Sequence, residues 1–300
     1  MKWNHASVIG LLCAFTIAVS GQQPGTQPTP EQQRAAAAAA RAAKVAAPRP
    51  IPAVDSVWIE ELTYMEVRDA MKAGKTTALI LTGGIEQNGP WIPTGKHNYI
   101  LQGIGEIMAR KMGNALIAPI VTLEPGDPNK VDPIGQAGTI FLSAATYRAV
   151  LADMADSLRS QGFTDIFLLG DSGGNIKPMQ EVAFTLNARW SGKGAIAYAV
   201  PEFYANDAAR EVIKNAGIDE KDPGLDGIHD EYFITAEMMA WDPKGVRYEQ
   251  RAKAGLLTIN GVTLVQKERV IEHGRMVYER KADIGVAAMR NAMHAARARQ

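Results

Sequence analysis

The sequence predicts an α/β protein built on a mostly parallel sheet, and three observations carry that expectation. The apolar run Thr77-Ala78-Leu79-Ile80-Leu81 breaks into Gly83-Gly84 and a loop holding Glu86, Gln87, Asn88, Lys96 and His97. The same design returns at 166–175, where an apolar strand runs into Gly170, Asp171, Ser172 and the pair Gly173-Gly174. Between and after these strands come amphipathic helical segments of about 10–15 residues, the signature of βαβ units. Open α/β sheets bind ligands outside the carboxyl ends of their strands, so the two glycine-broken strand tips are the expected site.

Each element has its own reason. Leu62, Met65, Val67 and Met71 mark a surface helix over 61–73, stopped at Gly74. The first central strand is 77–81. Ile100, Ile104, Ile107 and Met108 lie on one side of a helix over 99–112, closed by Gly113-Asn114. A strand over 116–121, a Pro-, Gly- and Asp-rich loop over 124–136 and a short strand over 139–142 follow. Val150, Leu151, Met154 and Leu158 face inward on a helix over 145–161, stopped by Gly162. The second central strand is 165–169, then a helix over 178–190 with Pro178 at a favoured first position. A strand over 195–200 and helices over 205–216, 229–241 and 283–298 complete the order, with Pro243 closing the second of these helices. No repeat of fixed period is visible.

Composition narrows the functional classes. The 300 residues are 46% hydrophobic and 21% charged, with a formal net charge of +0, as in soluble globular proteins. No basic excess exists to displace counterions, which argues against nucleic acid as the main partner. Lys2 and His5 precede an apolar run over 8–19, and Ser20-Gly21 supply small residues, so 1–21 reads as a secretory signal peptide. The run falls short of the ~20 apolar residues of a membrane span. The mature chain is expected to be secreted or periplasmic, with no stable membrane span. The single cysteine, Cys13, follows Leu12 rather than a small residue, which argues against a lipoprotein site. Its removal leaves no disulfide, thiolate ligand or thiol nucleophile. Residues 22–53 combine prolines with the alanine run 35–40 and read as an Ala/Pro-rich disordered linker. The folded α/β domain is assigned to 54–300.

Histidine is scarce past the signal: His97, His229, His273 and His294. His294 reads as solvent-facing and His273 as structural, while His97 and His229 sit beside polar, glycine-rich loops. Glu86 and His97 share one loop, and carboxylate oxygen and imidazole nitrogen both suit zinc or manganese. Asp171, at the next strand tip, is the third candidate ligand, with a turn or cap role as the alternative. Gly170-Asp171-Ser172-Gly173-Gly174 also fits the G-x-S-x-G pattern, so Ser172 with His229 and an acid forms a second, metal-free hypothesis.

The stretch from about 58 to 293 resembles the creatininase family of metal hydrolases. The resemblance rests on Glu86-Gln87-Asn88-Gly89-Pro90, Ala137-Gly138-Thr139, Gly162-Phe163, Ser172-Gly173-Gly174-Asn175, and His229 with Thr235, Met238-Met239 and Asp242-Pro243, in the family's motif order. It implies a three-layer α/β/α sandwich, a homo-oligomer (a hexamer in the family), and a two-metal zinc or manganese site that hydrolyses small, often cyclic, amides and related C–N bonds. His229 matches the family's catalytic histidine. Asn88 replaces a ligand histidine, His97 stands where an aspartate ligand would be, and Ser172 replaces another ligand histidine. Trp91 replaces a histidine, and Ile234 and Ala236 replace an acid and a serine.

Asn88 and Ser172 are poor zinc ligands, and a neutral imidazole cannot bridge two metals as a carboxylate does. The departures leave a single zinc or manganese ion on Glu86, His97 and Asp171, polarising a small amide substrate. His229 is then the general acid, assisted by Glu231, and Asn88, Trp91 and Asn175 are the substrate-binding candidates. A silent relative that binds a small molecule without turnover is the further alternative.

Overall fold

The computed structural model describes residues 28–221 and 228–298. The expected signal peptide, with Cys13, lies outside them. The chain divides into two units, Met1–Pro48 and Arg49–Gln300. In the first, Pro30–Ala46 forms helix α1, opened by a reciprocal Thr29/Gln32 capping box, and none of its residues is buried. Alanine's helix propensity and the cap account for this helix within the segment expected to be a linker.

The second unit carries the predicted sheet. β1 (Thr77–Thr82), β2 (Ala115–Ile117), β5 (Asp165–Gly170) and β6 (Ile196–Ala199) run in the order β2-β1-β5-β6, all parallel. Every residue of β1 is buried. Alternation explains how: Ala78, Ile80, Ile166 and Leu168 enter one core, while Leu79, Leu81, Phe167 and Leu169 enter the other. The first core is closed by α2 (Tyr64–Lys72), α4 (Ala144–Gln161) and α5 (Ile176–Arg189), through Val67, Leu151, Leu158, Val182 and Leu186. The second is closed by α3 (Lys96–Met112), α6 (Asn206–Asn215), α7 (Tyr232–Trp241) and α9 (Lys267–Arg297). The result is the helix–sheet–helix sandwich expected of this alternation. The connection from β1 leads to β2 on one side, and β5 lies on the other, so the topological switch falls between the tips of β1 and β5.

Several boundaries differ from expectation. The strand expected over 116–121 ends at Ile117, and Val121 keeps only an isolated bridge to Thr82. Pro119 lacks the N–H needed to continue the ladder. The loop expected over 124–136 contains β3 (Glu124–Pro125), which pairs with β4 (Phe141–Leu142). α8 (Tyr248–Ala254) and the antiparallel pair β7 (Thr258–Ile259) and β8 (Val262–Thr263) carried no periodic signal long enough to read.

The largest difference is α9, which starts at Lys267 rather than near Asp283. Gly274 invites a break, yet it sits inside the helix. An added Cβ there would collide with the Ala236 carbonyl group of α7. Glycine thus permits the close crossing of α7 and α9 at a helix-propensity cost of ~1 kcal/mol relative to alanine. Gly274→Ala is expected to lower stability by about 1–3 kcal/mol despite its better propensity, because overpacking forces the two helices apart. Urea denaturation checks the sign.

Candidate active site

The tips of β1 and β5 open into a cavity of about 280 Å³, lined among others by Glu86, Lys96, His97, Asp171, Ser172, Tyr204, His229, Glu237 and Lys281. Larger hollows lie elsewhere, among them two of about 560 and 490 Å³. The first sits by Asp165 and Ile196 at the amino ends of the strands, and the second by Arg49 and Glu66. Neither lies at the topological switch, and neither gathers histidine, acid and lysine together.

The site is built from short connections. After β1 the chain is pinned by Asn98, whose amide donates to Gly84 O (3.2 Å) and Thr122 O (3.1 Å). Asn175 donates to Thr82 O and Gly83 O, both at 3.0 Å, so it clips the two strand tips together. α3 then begins at Lys96 with Gly95 as its cap residue. A lysine in the first helical turn opposes the helix dipole, and an acid is the usual occupant. Here Glu86 supplies the compensation: Lys96 Nζ lies 2.6 Å from Glu86 Oε1 and 2.6 Å from Asn88 Oδ1.

His97 follows Lys96 and joins the two strand tips. Its Nε2 lies 2.7 Å from Glu86 Oε1 and its Nδ1 2.8 Å from Asp171 Oδ2. Burial and the Lys96 ammonium oppose a charge on this ring, but the hydrogen bonds to Asp171 and Glu86 outweigh them and raise its pKa. With a carboxylate oxygen at each ring nitrogen, the setting favours the imidazolium, in which both nitrogens donate. Burial pushes the Glu86 carboxyl up, yet His97 and Lys96 hold it well below the usual carboxylate range. Asp171 is likewise pushed up by burial and pulled further down by Lys281 and His97.

Lys281 reaches in from α9. Its Nζ donates to Asp171 Oδ1 at 2.8 Å and lies 3.3 Å from Glu237 Oε1 of α7. Lys281 and Glu237 are each 1% exposed. Burial raises the pKa of Glu237, with Lys281 opposing. Among the described residues, Glu86 and Asp171 thus face three cationic groups, Lys96, His97 and Lys281, with Glu237 as the third acid.

His229 stands at the mouth, its side chain 38% exposed, with Nδ1 3.6 Å from Glu86 Oε1. Burial and Lys96 lower its pKa, so the ring is neutral at neutral pH. It was expected at the start of a helix, but α7 begins only at Tyr232, and His229 adopts a left-handed backbone (φ 57°). The preceding Ile228 carbonyl accepts from Gly89 N at 2.7 Å, which fixes this segment on the β1 loop. Non-glycine residues in that conformation are uncommon and concentrate at functional sites.

Residues 60–294 match the family model described as Creatininase: Creatinine amidohydrolase. The chain belongs to the creatininase family. Comparison with curated protein sequences gives no match. Similar solved structures include one described as creatininase Mn, 20% identical over 79% of this chain and 99% of that one, with a TM-score of 0.59. Another, a creatininase variant of Zn-Zn type, is 18% identical over 80% and 99%, with a TM-score of 0.58. A third, creatinine amidohydrolase (creatininase), is 20% identical over 80% and 97%, with a TM-score of 0.56. At these identities the likeness is one of fold.

The manganese and zinc of those creatininases make a divalent ion the group to test against this donor set, and the donor set does not fit one. His97 has both nitrogens committed to carboxylates. Glu86 Oε1 already takes the Lys96 ammonium, and Asp171 Oδ1 takes that of Lys281. Two unit charges 4 Å apart interact by about 4 kcal/mol at an effective dielectric constant near 20, and a divalent ion beside an ammonium would be repelled by about twice that. Among the described residues, no group of three or more His, Cys, Asp and Glu side chains is arranged to hold a metal ion. Glu86, His97 and Asp171, the residues expected to hold zinc or manganese, do meet, with the His97 ring between the two carboxylates.

Other expectations are also revised. Ser172 Oγ donates to Glu124 Oε2 at 2.5 Å rather than to His229, and burial raises the pKa of Glu124. Glu231 does not line the cavity and instead accepts from Arg210 Nη2 at 2.9 Å. Asn88 braces its own loop, donating to Glu86 O and Pro93 O. Trp91 packs on the second core beneath the Arg251 guanidinium, 4.7 Å from its ring centre. Asn175 is the strand clip described above. Asn88, Trp91 and Asn175, the expected substrate contacts, thus also brace the scaffold.

Lys281, Glu237, Glu124 and Tyr204 were missed, and Lys96, though placed in the site loop, had been given no role. Two had a readable signal. Lys281 falls on the buried stripe Val270, Gly274, Val277, Lys281, Gly285 of α9, where a charge is out of place. Glu237 is the only charged residue in the otherwise apolar α7.

The carboxylates also set a pH dependence. Glu86 and Asp171 have folded pKa values below their ordinary ones, so their stabilisation is complete above about pH 5 and fades as pH falls through the folded values. The raised Glu237 works oppositely, its contribution being complete at low pH and lost as pH rises through about 7. Midpoint temperature is therefore expected to drop steeply below about pH 4. Calorimetry across pH 2.5–8 would show it, and Asp171→Asn should blunt the acid limb.

Proposed function

We propose that this creatininase-family chain hydrolyses a small amide or related C–N bond, with His229 backed by Glu86 as the proton-transfer pair. The observation that carries this reading is the neutral imidazole of His229 with Nδ1 3.6 Å from the Glu86 carboxylate, at the mouth of a cavity that seats only a small molecule. The hydrogen bond to the Gln87 backbone orients the ring, and the nearby Glu86 charge stabilises the imidazolium formed when His229 takes a proton from water. The hydroxide adds to the amide carbon. His229 then returns the proton to the leaving nitrogen as the C–N bond breaks, so the ring ends neutral. An ammonium has three N–H donors, and Lys96 gives two to Glu86 and Asn88. Its third is assigned to the substrate oxygen, where negative charge develops.

The test is a panel of small cyclic and linear amides followed by NMR. Cleavage of at least one, lost in His229→Ala, supports the reading; binding of panel members without cleavage would establish a silent relative instead. The serine alternative predicts covalent labelling by a fluorophosphonate. Because the Ser172 hydroxyl is directed at Glu124, no label above the Ser172→Ala background is expected by intact-mass spectrometry.

A further inference from the structure

We infer that Lys96 and Lys281 stand in for divalent cations in this creatininase-family site, so that the cavity is organised by two fixed ammonium groups and needs no metal. The inference deepens the reading of the same site given above. Three features support it. First, each ammonium sits on a candidate ligand. Lys96 Nζ contacts Glu86 Oε1 and Asn88 Oδ1, the side chains at two ligand positions of the family's first motif. Lys281 Nζ contacts Asp171 Oδ1 and Glu237 Oε1.

Second, the two lysines are sequestered, at 2% and 1% exposure, and come from different elements, the start of α3 and the middle of α9. Lysine is almost never so buried unless paired, and both are paired with acids. Third, the substitutions form a set. Asn88 and Ser172 supply no anionic or imidazole ligand, and lysines occupy the carboxylates of Glu86 and Asp171. A fixed +1 group cannot bind water as a Lewis acid, but it can neutralise buried carboxylates and receive an oxyanion. Unlike an ion, it cannot be lost to a chelator or exchanged.

The test uses the full-length purified wild-type protein, prepared without chelator. Elemental analysis should find less than a tenth of an equivalent of zinc and manganese per chain. Its melting temperature should be unchanged by EDTA and by either metal at 100 µM, roughly a hundredfold excess over a micromolar dissociation constant. Stoichiometric metal, or a rise of several degrees on adding it, would overturn the inference. Lys281→Ala opens a cation position beside Asp171 and Glu237, so zinc should raise its melting temperature while leaving the wild type unchanged. Equal stability of Lys281→Ala and wild type without zinc would also count against it. If Lys281→Ala is not recovered folded, Lys96→Ala and the wild-type analysis decide. Metal-free protein that cleaves no amide would sink the hydrolytic reading alone, and a metal-loaded hydrolase would sink this inference alone.

Discussion

Lys281→Met is expected to destabilise the fold by about 3–5 kcal/mol, the cost of leaving a buried charge without its partner. Asp171 and Glu237 are 4% and 1% exposed, and Lys281 lies between them. Methionine fills a similar volume, so loss of packing contributes little and the effect isolates the charge. Once the ammonium is gone, Asp171 retains only His97 as a cationic partner, and Glu237 none among the described contacts. Adding Asp171→Asn should recover part of the loss, and the double-mutant coupling should exceed ~1 kcal/mol, because the groups touch. Guanidinium denaturation measures both quantities. A loss below ~1 kcal/mol would mean that water or a counter-ion already screens this pair.

His229→Ala is expected to lower kcat/KM on a responsive amide by about 10²–10⁴-fold, the usual contribution of a positioned acid–base group. Stability should change little, because the side chain is 38% exposed and its hydrogen bond is to the backbone of the Gln87 loop. Glu86→Gln should also lower the rate, but with a cost in stability, since Glu86 pairs with Lys96 and His97 as well. The pH profile separates the two roles. His229 works first as a base, and its pKa is lowered by burial and by Lys96. The rate should therefore hold level below the pH at which an ordinary histidine, near 6.5, would begin to protonate, and then fall. Substitution of Lys96 by Met should move that fall upward by removing the opposing charge.

The fold was legible because its determinants are local and repeated. Apolar runs ending in glycine mark β1 and β5, and the helices between the strands show a single apolar side. Alternation along those runs placed residues correctly on both faces, as Leu79 and Ile80 illustrate. What failed to show was long-range compensation. Lys96 in a first helical turn and Lys281 on a buried stripe look anomalous alone, and each makes sense only once Glu86 or Asp171 is beside it. The helix α9 was cut short for the same reason, since Gly274 serves a crossing with α7 that sequence spacing does not display. Asn88 and Asn175 looked like ligand contacts because polar residues near strand tips usually are. Here they satisfy backbone carbonyls that the sharp turns leave open.

The proposal to be tested is that the Lys96 and Lys281 ammonium groups take the place of divalent cations in this cavity. Anomalous diffraction at the zinc and manganese absorption edges, from crystals soaked in each metal, tests it most directly. No anomalous peak is expected in the cavity, with Lys96 Nζ and Lys281 Nζ remaining in contact with Glu86 and Asp171. A peak within coordination distance of either carboxylate, with a lysine displaced to make room, would contradict it.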